Sequence, residues 1–186
     1  MVTFLGVAGK INEQDINEKV IKESEIILLE GYLWDKGEPK SAFNKAMSFS
    51  KVKAMSLSDQ FCVERHKDDF LDLVKNKLDI TFANEQEIRS LINARDFGEV
   101  IEFGKQLGKI LIITRGEKGS VAIKNQKIIE CPSKHDLKIV DLTGAGDLFA
   151  AGFLHGYINN ISIKESLEKG TEMSSKIIQR VGARLD

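Results

Sequence analysis

The residues best suited to chemistry lie in one short stretch, residues 141–147, which reads Asp-Leu-Thr-Gly-Ala-Gly-Asp. Three small residues stand where a helical pattern begins, so their backbone can come close to a ligand. The N–H groups of a first helical turn lack partners within the helix, and the helix dipole adds positive potential. The pattern predicts an anion site at Gly144, Ala145 and Gly146, with the Asp147 carboxylate placed to accept a proton from an attacking hydroxyl.

A purely structural interpretation of the same stretch is also open. Two glycines before a helix can serve tight packing alone, and an aspartate near a helix N-terminus is often only a favourable cap. Because short motifs match many unrelated sequences, the residues of this stretch do not decide between the two interpretations by themselves.

A second candidate stretch, residues 114–119, follows the clearest strand pattern in the chain. Gly116 and Gly119 permit positive φ and a close backbone approach. The Thr114 hydroxyl and the Arg115 guanidinium could reach phosphate groups from this position. A glycine-rich turn leading into a hairpin explains the same residues, and for this stretch alone it is the favoured interpretation.

The third candidate is the pair Asn84 and Glu87, which follows another short strand pattern. In the structural interpretation Asn84 caps a helix and Glu87 completes a capping box. In the functional interpretation the two side chains contact the water shell of Mg²⁺, an ion that prefers oxygen ligands and keeps several waters.

The elements that must position these residues alternate between strands and helices. This alternation predicts a parallel sheet covered by helices, with ligands at the carboxyl ends of the strands. The strand at 26–29 is expected to be buried on both faces. Predicted strands are 26–29, 52–57, 80–82, 110–114 and a hairpin of 121–123 with 127–130; predicted helices are 11–24, 39–50, 68–77, 85–94, 96–107, 148–158 and 163–181.

Composition narrows the class of protein. The 27 basic and 28 acidic residues give a net charge of -1, so no general attraction to nucleic acid or anionic membranes is expected. No apolar run approaches the roughly 20 residues that span a bilayer. The two cysteines, Cys62 and Cys131, are expected to be buried or free thiols in a reducing cytoplasm. One domain over residues 1–186 is the simplest organisation.

Taken together, the three stretches resemble the PfkB family of carbohydrate and nucleoside kinases. The Asp-x-x-Gly-Ala-Gly-Asp-x-Phe stretch resembles its C-terminal signature, and the Asn-x-x-Glu and Thr-x-Gly-x-x-Gly patterns occur in the same order. Residues 30–35 and 178–184 look most like the adenosine-kinase-like branch. The resemblance covers residues 1–186 and implies an α/β fold, a three-layer ribokinase-like sandwich with a mostly parallel sheet flanked by helices.

The resemblance also implies an ATP-dependent kinase acting on a sugar or nucleoside hydroxyl, with Mg²⁺ and, in some members, K⁺. Many members have Thr where this chain has Leu142, which weakens the K⁺ assignment. The implied positions are Asp147 for the base; Gly144, Ala145 and Gly146 for the anion hole; Thr114, Arg115, Gly116 and Gly119 for ATP; Asn84 and Glu87 for ATP and water-bound Mg²⁺; and Asp141 and Thr143 for a monovalent cation.

The part of the family that precedes this resemblance is expected to be missing: a Gly-Gly acceptor motif, the first strands of the sheet and a small β lid. Residues 1–6 resemble a strand that returns from the lid into the core. A sheet without its first strands exposes an edge, so we expect a protein that aggregates or needs a partner, either a homodimer or a complementing N-terminal chain. Two alternatives remain open, a nucleotide-binding remnant without turnover and a non-catalytic interaction module.

Overall fold

Six strands form a single mixed sheet in the computed structural model, which describes residues 4–34 and 39–185. The strands follow each other across the sheet in sequence order. Strands β1 to β4 are parallel to each other, and β5 is antiparallel to both of its neighbours, β4 and β6. This confirms the predicted α/β class and the mostly parallel sheet. The strands are β1 (Ile26–Glu30), β2 (Val52–Ser56), β3 (Ile80–Asn84), β4 (Ile110–Thr114), β5 (Ser120–Lys124) and β6 (Lys127–Cys131).

Helices cover both faces of this sheet and complete three layers. Helices α2 to α6 pack on one face, and α7 and α8 pack on the other. The helices are α1 (Glu18–Glu23), α2 (Pro39–Phe49), α3 (Gln60–Arg65), α4 (Lys67–Asp72), α5 (Glu85–Ile92), α6 (Phe97–Leu107), α7 (Ala145–Ile158) and α8 (Ile163–Ile177).

The central strand β4 shows why the sheet needs both helical layers. Its first four residues are apolar without alternation, and all four are buried. Leu111 and Ile113 belong to the core under α5 and α6, whereas Ile110 and Ile112 belong to the core under α7. Burial of a Leu or Ile side chain contributes about 1.5–3 kcal/mol, so a run of this kind is stable only between two apolar layers.

The strand β1 differs from the prediction that both of its faces are buried. Ile27 and Leu29 are buried, but Leu28 on the opposite face is 46% exposed. The reason is position: β1 forms the edge of the sheet, and the contacts of α7 and α8 concentrate on β3, β5 and β6. Continuous apolar sequence identified the strand but not its place in the sheet.

Several predicted boundaries were also wrong. Residues 1–6 were expected to resemble a strand. Residues 1–3 lie outside the described residues, residues 4–6 form no strand, and Gly6–Lys10 is a 3₁₀ helix. The predicted helix 11–24 is divided, because Asn12 caps a 3₁₀ turn and Asn17 caps α1. The helix predicted at 68–77 begins as α4 and ends as a π-helix, Leu73–Lys77. Helix α8 ends at Ile177 rather than at residue 181.

Glycines allow α7 and α8 to approach closely. A Cβ at Gly152 of α7 would lie 2.6 Å from the Lys169 carbonyl oxygen, and a Cβ at Gly170 of α8 would lie 2.7 Å from the Phe149 carbonyl oxygen. Both contacts are with backbone atoms, which cannot rotate away as a flexible side chain could. A Cβ at either glycine would therefore push the two helices apart. The pair is important for the site because α7 carries Asp147 in its first turn.

We predict that Gly152→Ala destabilises the protein, because the added methyl group must force α7 and α8 apart. Overpacking of this kind costs about 2 kcal/mol, equivalent to a melting temperature lower by roughly 4–8 °C. The matched control is Glu168→Ala, an exposed position on α8, which should melt like the wild type. Thermal unfolding followed by circular dichroism measures both, and equal melting temperatures for the two variants would contradict the packing argument.

Candidate active site

A cavity of about 520 Å³ opens at the carboxyl ends of β1 to β4. The last residue of each of these strands lines it: Glu30, Ser56, Asn84 and Thr114. The first turn of α7 forms the facing wall. The remaining lining residues are Tyr32, Ser58, Phe82, Ala83, Glu87, Asp141, Leu142, Thr143, Gly144, Ala145, Gly146, Asp147 and Phe149.

The start of α7 has three backbone N–H groups without a hydrogen-bond partner among the described residues. Gly144 is the N-cap, with a left-handed φ of 78°. The N–H of Ala145 donates to the Leu142 carbonyl oxygen at 3.1 Å, so it is already used within the protein. The three unpaired N–H groups are those of Gly144, Gly146 and Asp147. Of the three residues predicted to form an anion site, Gly144 and Gly146 therefore keep an unpaired N–H and Ala145 does not.

The Asp147 carboxylate lies at the surface of the cavity and is exposed. Within residues 4–34 and 39–185 it makes no hydrogen bond and no ion pair. It is therefore not merely the side-chain cap of its own helix, and α7 has no side-chain cap at its start. An unbonded carboxylate beside two unpaired N–H groups has the arrangement that base catalysis next to an anion requires.

The loop before α7 is held by Asp141. Its carboxylate accepts hydrogen bonds from the Thr143 N–H at 2.9 Å, the Thr143 hydroxyl at 2.7 Å and the Gly182 N–H at 3.0 Å. The bonds from Gly182 and Thr143 lower the pKa of Asp141, so the carboxylate stays ionised. These bonds tie the loop to the segment after α8.

Asn84 and Glu87 form the predicted capping box at the start of α5. The Glu87 N–H donates to Asn84 Oδ1 at 2.8 Å, and the Glu87 carboxylate accepts from the Asn84 N–H at 2.8 Å and from Asn84 Nδ2 at 2.6 Å. Glu87 is only 5% exposed. Its burial, more than the Asn84 bonds can offset, raises its pKa to about 7, and the charges of Asp59 and Glu30 add to the effect.

The stretch 114–119 divides into residues at the cavity and residues outside it. Thr114 lines the cavity. The Arg115 guanidinium instead pairs with Glu85 at 2.8 Å and stacks 3.6 Å from the centre of the Phe97 ring, outside the cavity lining. Gly119 is required by packing, since a Cβ there would lie 2.1 Å from the Cys131 carbonyl oxygen.

Gly116 differs from Gly119. It has a φ of 59°, and a Cβ built on it would meet nothing within 4 Å. The side of Gly116 is therefore open, which leaves room for a ligand next to the backbone. Of the two glycines singled out in the sequence, Gly116 is exposed beside the cavity lining, whereas Gly119 is fixed by its packing against Cys131.

Several lining residues were not among the predicted site residues, and two of them, Glu30 and Ser58, bond to each other. The Ser58 hydroxyl donates to Glu30 Oε1 and accepts from the Tyr32 N–H at 3.0 Å. Burial raises the pKa of Glu30, the Ser58 hydrogen bond lowers it, and the charge of Asp147 raises it again. The available signal was positional: a glutamate directly after an apolar strand run lies at the edge of the sheet where ligands bind.

Comparison with known proteins identifies the family. The model of the pfkB family carbohydrate kinases matches residues 1–186. The chain belongs to the PfkB family. It is 32% identical over 117 residues to a cytidine kinase of Thermococcus kodakarensis, which covers 61% of this chain and 42% of that protein. It is 29% identical over 171 residues to a ribokinase of Lactococcus lactis, a match that covers 91% of this chain and 52% of that protein.

Solved structures of this family share the fold. The adenosine kinase of Sinorhizobium meliloti superposes with a TM-score of 0.92 at 34% identity, covering 95% of this chain and 56% of that one. A probable sugar kinase of Rhizobium etli gives a TM-score of 0.91 at 35% identity, covering 94% and 54%. The chain thus spans about half the length of the relatives it matches. Among the helices described, none is long and apolar enough to cross a membrane.

The raised pKa of Glu87 predicts a dependence of stability on pH. Between pH 4.5 and about 7 the unfolded chain loses this proton before the folded protein does, so the free energy of unfolding falls as pH rises. In Glu87→Gln the contribution of Glu87 is absent, so the free energy of unfolding should fall less steeply with pH. Some decline should remain, because the pKa of Glu30 is also raised. Urea unfolding at pH 5, 6, 7 and 8 measures both slopes, and parallel slopes would refute the assignment.

The two glycines at the start of α7 should respond differently to alanine. A Cβ at Gly146 meets nothing within 4 Å, so Gly146→Ala should fold normally but place a methyl group at the anion site and weaken Mg-ATP binding. At Gly144 the positive φ and a contact of 2.8 Å with Ala183 Cβ should cost at least about 1–2 kcal/mol of stability. Thermal unfolding and titration calorimetry separate the effects; a Gly146→Ala protein that binds Mg-ATP normally would exclude this wall as the phosphate site.

Proposed function

We propose that this chain transfers the γ-phosphoryl group of ATP to a hydroxyl of a sugar or nucleoside, with Asp147 as the base. One observation carries the proposal: Asp147 and the unpaired N–H groups of α7 face the same cavity as Asn84, Glu87 and Thr114. The names of similar proteins, a cytidine kinase, a ribokinase and an adenosine kinase, support this class of acceptor.

The charges of the cavity favour a nucleotide that arrives with a cation. Glu30, Glu87, Asp141 and Asp147 line it, and no Lys, Arg or His does so among the described residues. No three His, Cys, Asp or Glu side chains in this described part of the chain are grouped to hold a metal alone. This suits Mg²⁺, which keeps waters and binds through one or two carboxylates together with phosphate oxygens.

The chain's own residues would then act on the bound reactants. ATP would supply the phosphoryl group and Mg²⁺ would neutralise its charge. We propose that Asn84 and Glu87 contact the hydrated ion, and that the N–H groups of Gly146 and Asp147 stabilise the charge of the moving phosphoryl group. Asp147 accepts the proton of the acceptor hydroxyl, which frees the oxygen to attack.

Other predicted residues take supporting positions in this proposal. Thr114 and the open side of Gly116 contact the nucleotide, whereas Arg115 orders the β4 loop through Glu85. Because N–H and hydroxyl donors already bond the Asp141 carboxylate, we assign Asp141 and Thr143 to holding the loop before α7.

We predict that Asp147→Asn reduces phosphotransfer by about 100-fold or more, the contribution expected of a general base. Mg-ATP affinity should change little, because the backbone N–H groups that contact the phosphate are retained. The assay measures ADP formation with a panel of nucleosides and sugars, and titration calorimetry measures Mg-ATP binding. Near wild-type turnover in Asp147→Asn would disprove the role of the base.

The wild-type chain separates the alternatives in the same experiments. Binding of Mg-ATP without phosphotransfer to any acceptor would indicate a nucleotide-binding chain without turnover of its own. No change in melting temperature at millimolar Mg-ATP would indicate a non-catalytic module. The half-length coverage of the relatives makes the wild-type measurement essential.

A further inference from the structure

Ser58 has a backbone conformation that serine rarely adopts. Its φ is 74°, in the left-handed region. The other positive-φ residues besides glycine in the described chain are Asn, Asp or Gln, which enter this region more readily or lie in a hairpin turn. Ser58 lies in the loop after β2 and lines the cavity, whereas those residues do not. They are Asn93, Asn125, Gln126, Asp136 and Asn160.

The left-handed turn brings the Ser58 hydroxyl between two groups of the neighbouring loop. The hydroxyl donates to Glu30 Oε1 and accepts from the Tyr32 N–H at 3.0 Å. A Cβ at Gly31 would lie 2.6 Å from Ser58 Oγ, so only glycine leaves room for this contact. A third hydrogen bond holds the segment after β1. The buried Cys62 thiol of α3 donates to the Gly31 carbonyl oxygen at 3.2 Å.

Glu30 is the group whose position this contact decides. It is the last residue of β1 and lines the cavity, where its charge interacts with those of Asp147 and Glu87. Its carboxylate accepts from the Ser58 hydroxyl and also interacts with the backbone N–H groups of Gly31 and Tyr32, and the described residues offer it no cationic partner. Without the hydroxyl, only these N–H groups would oppose its repulsion by the other carboxylates.

We propose that Ser58 is a positioning residue that holds the Glu30 carboxylate at the end of the cavity where Asp147 acts. The proposal rests on the kinase function proposed above and adds two residues to its site. Since the contact lies beside the base, its loss affects the chemical step more than the binding of Mg-ATP. Strained backbone that persists at a cavity is consistent with such a role.

The test is a double-mutant cycle of Ser58→Gly and Glu30→Gln. Glycine accepts the positive φ and removes the hydroxymethyl group, while glutamine removes the charge that the Ser58 hydroxyl is proposed to hold in place. We expect Ser58→Gly to lower kcat by about 10-fold or more with little change in the KM for Mg-ATP. In the Glu30→Gln background the same change should have no further effect. Asn125→Gly, at a positive φ in the β5–β6 turn, is the control and should leave kcat unchanged.

An equal loss of kcat in both backgrounds would overturn the proposal, because Ser58 would then act independently of Glu30. If the wild-type chain has no phosphotransfer activity, the proposed function fails, but the contact between Ser58 and Glu30 can still be tested. Nuclear magnetic resonance provides that test. Ser58→Gly should shift the signals of the Glu30 carboxyl carbon and the Tyr32 N–H, and Asn125→Gly should not. Unchanged signals in Ser58→Gly would show that the hydroxyl does not hold Glu30.

Discussion

The accumulation of negative charge in one cavity is the constraint on which the rest of the site depends. Four carboxylates line it, those of Glu30, Glu87, Asp141 and Asp147, and no described cationic side chain balances them. Desolvation already opposes ionisation of Glu87. A phosphate group that enters this cavity, as proposed, would therefore need both the N–H groups at the start of α7 and an accompanying cation. By linkage, the affinity for one ligand depends on the presence of the other and on the protonation of Glu87.

Several residues serve the fold and the site with the same atoms. Glu87 caps α5 through Asn84 and also lines the cavity. Asp141 fixes the turn that brings Gly144 into its left-handed conformation, and through Gly182 it ties this turn to the end of α8. The structural and functional interpretations of these patterns are therefore not exclusive. An amino-acid change at such a position alters folding and binding together, so only matched variants can separate the two.

The sequence predicted features that depend on local pattern. Apolar runs located the strands, the run of small residues located the start of α7 that lines the cavity, and the cysteines are both buried and free. What it missed depends on contacts between distant segments. Arg115 is held by Glu85 across 30 residues, and Ser58 reaches Glu30 across 28. No periodicity encodes such pairings, because they follow from the order in which strands join the sheet.

The place of β1 in the sheet explains why Glu30 needs support from a neighbouring loop. β1 pairs with β2 along one side only, and among the described residues no strand pairs with its other side. An edge strand with Leu28 partly exposed has fewer contacts to fix its end than β3 or β4, which are paired on both sides. Local stability is lower where a segment makes fewer contacts. The end of β1 would therefore open more readily than the rest of the site. The Ser58 bond to Glu30 and the Cys62 bond to Gly31 act at this end, where β1 has a strand on one side only, and they support the order of the Glu30 carboxylate.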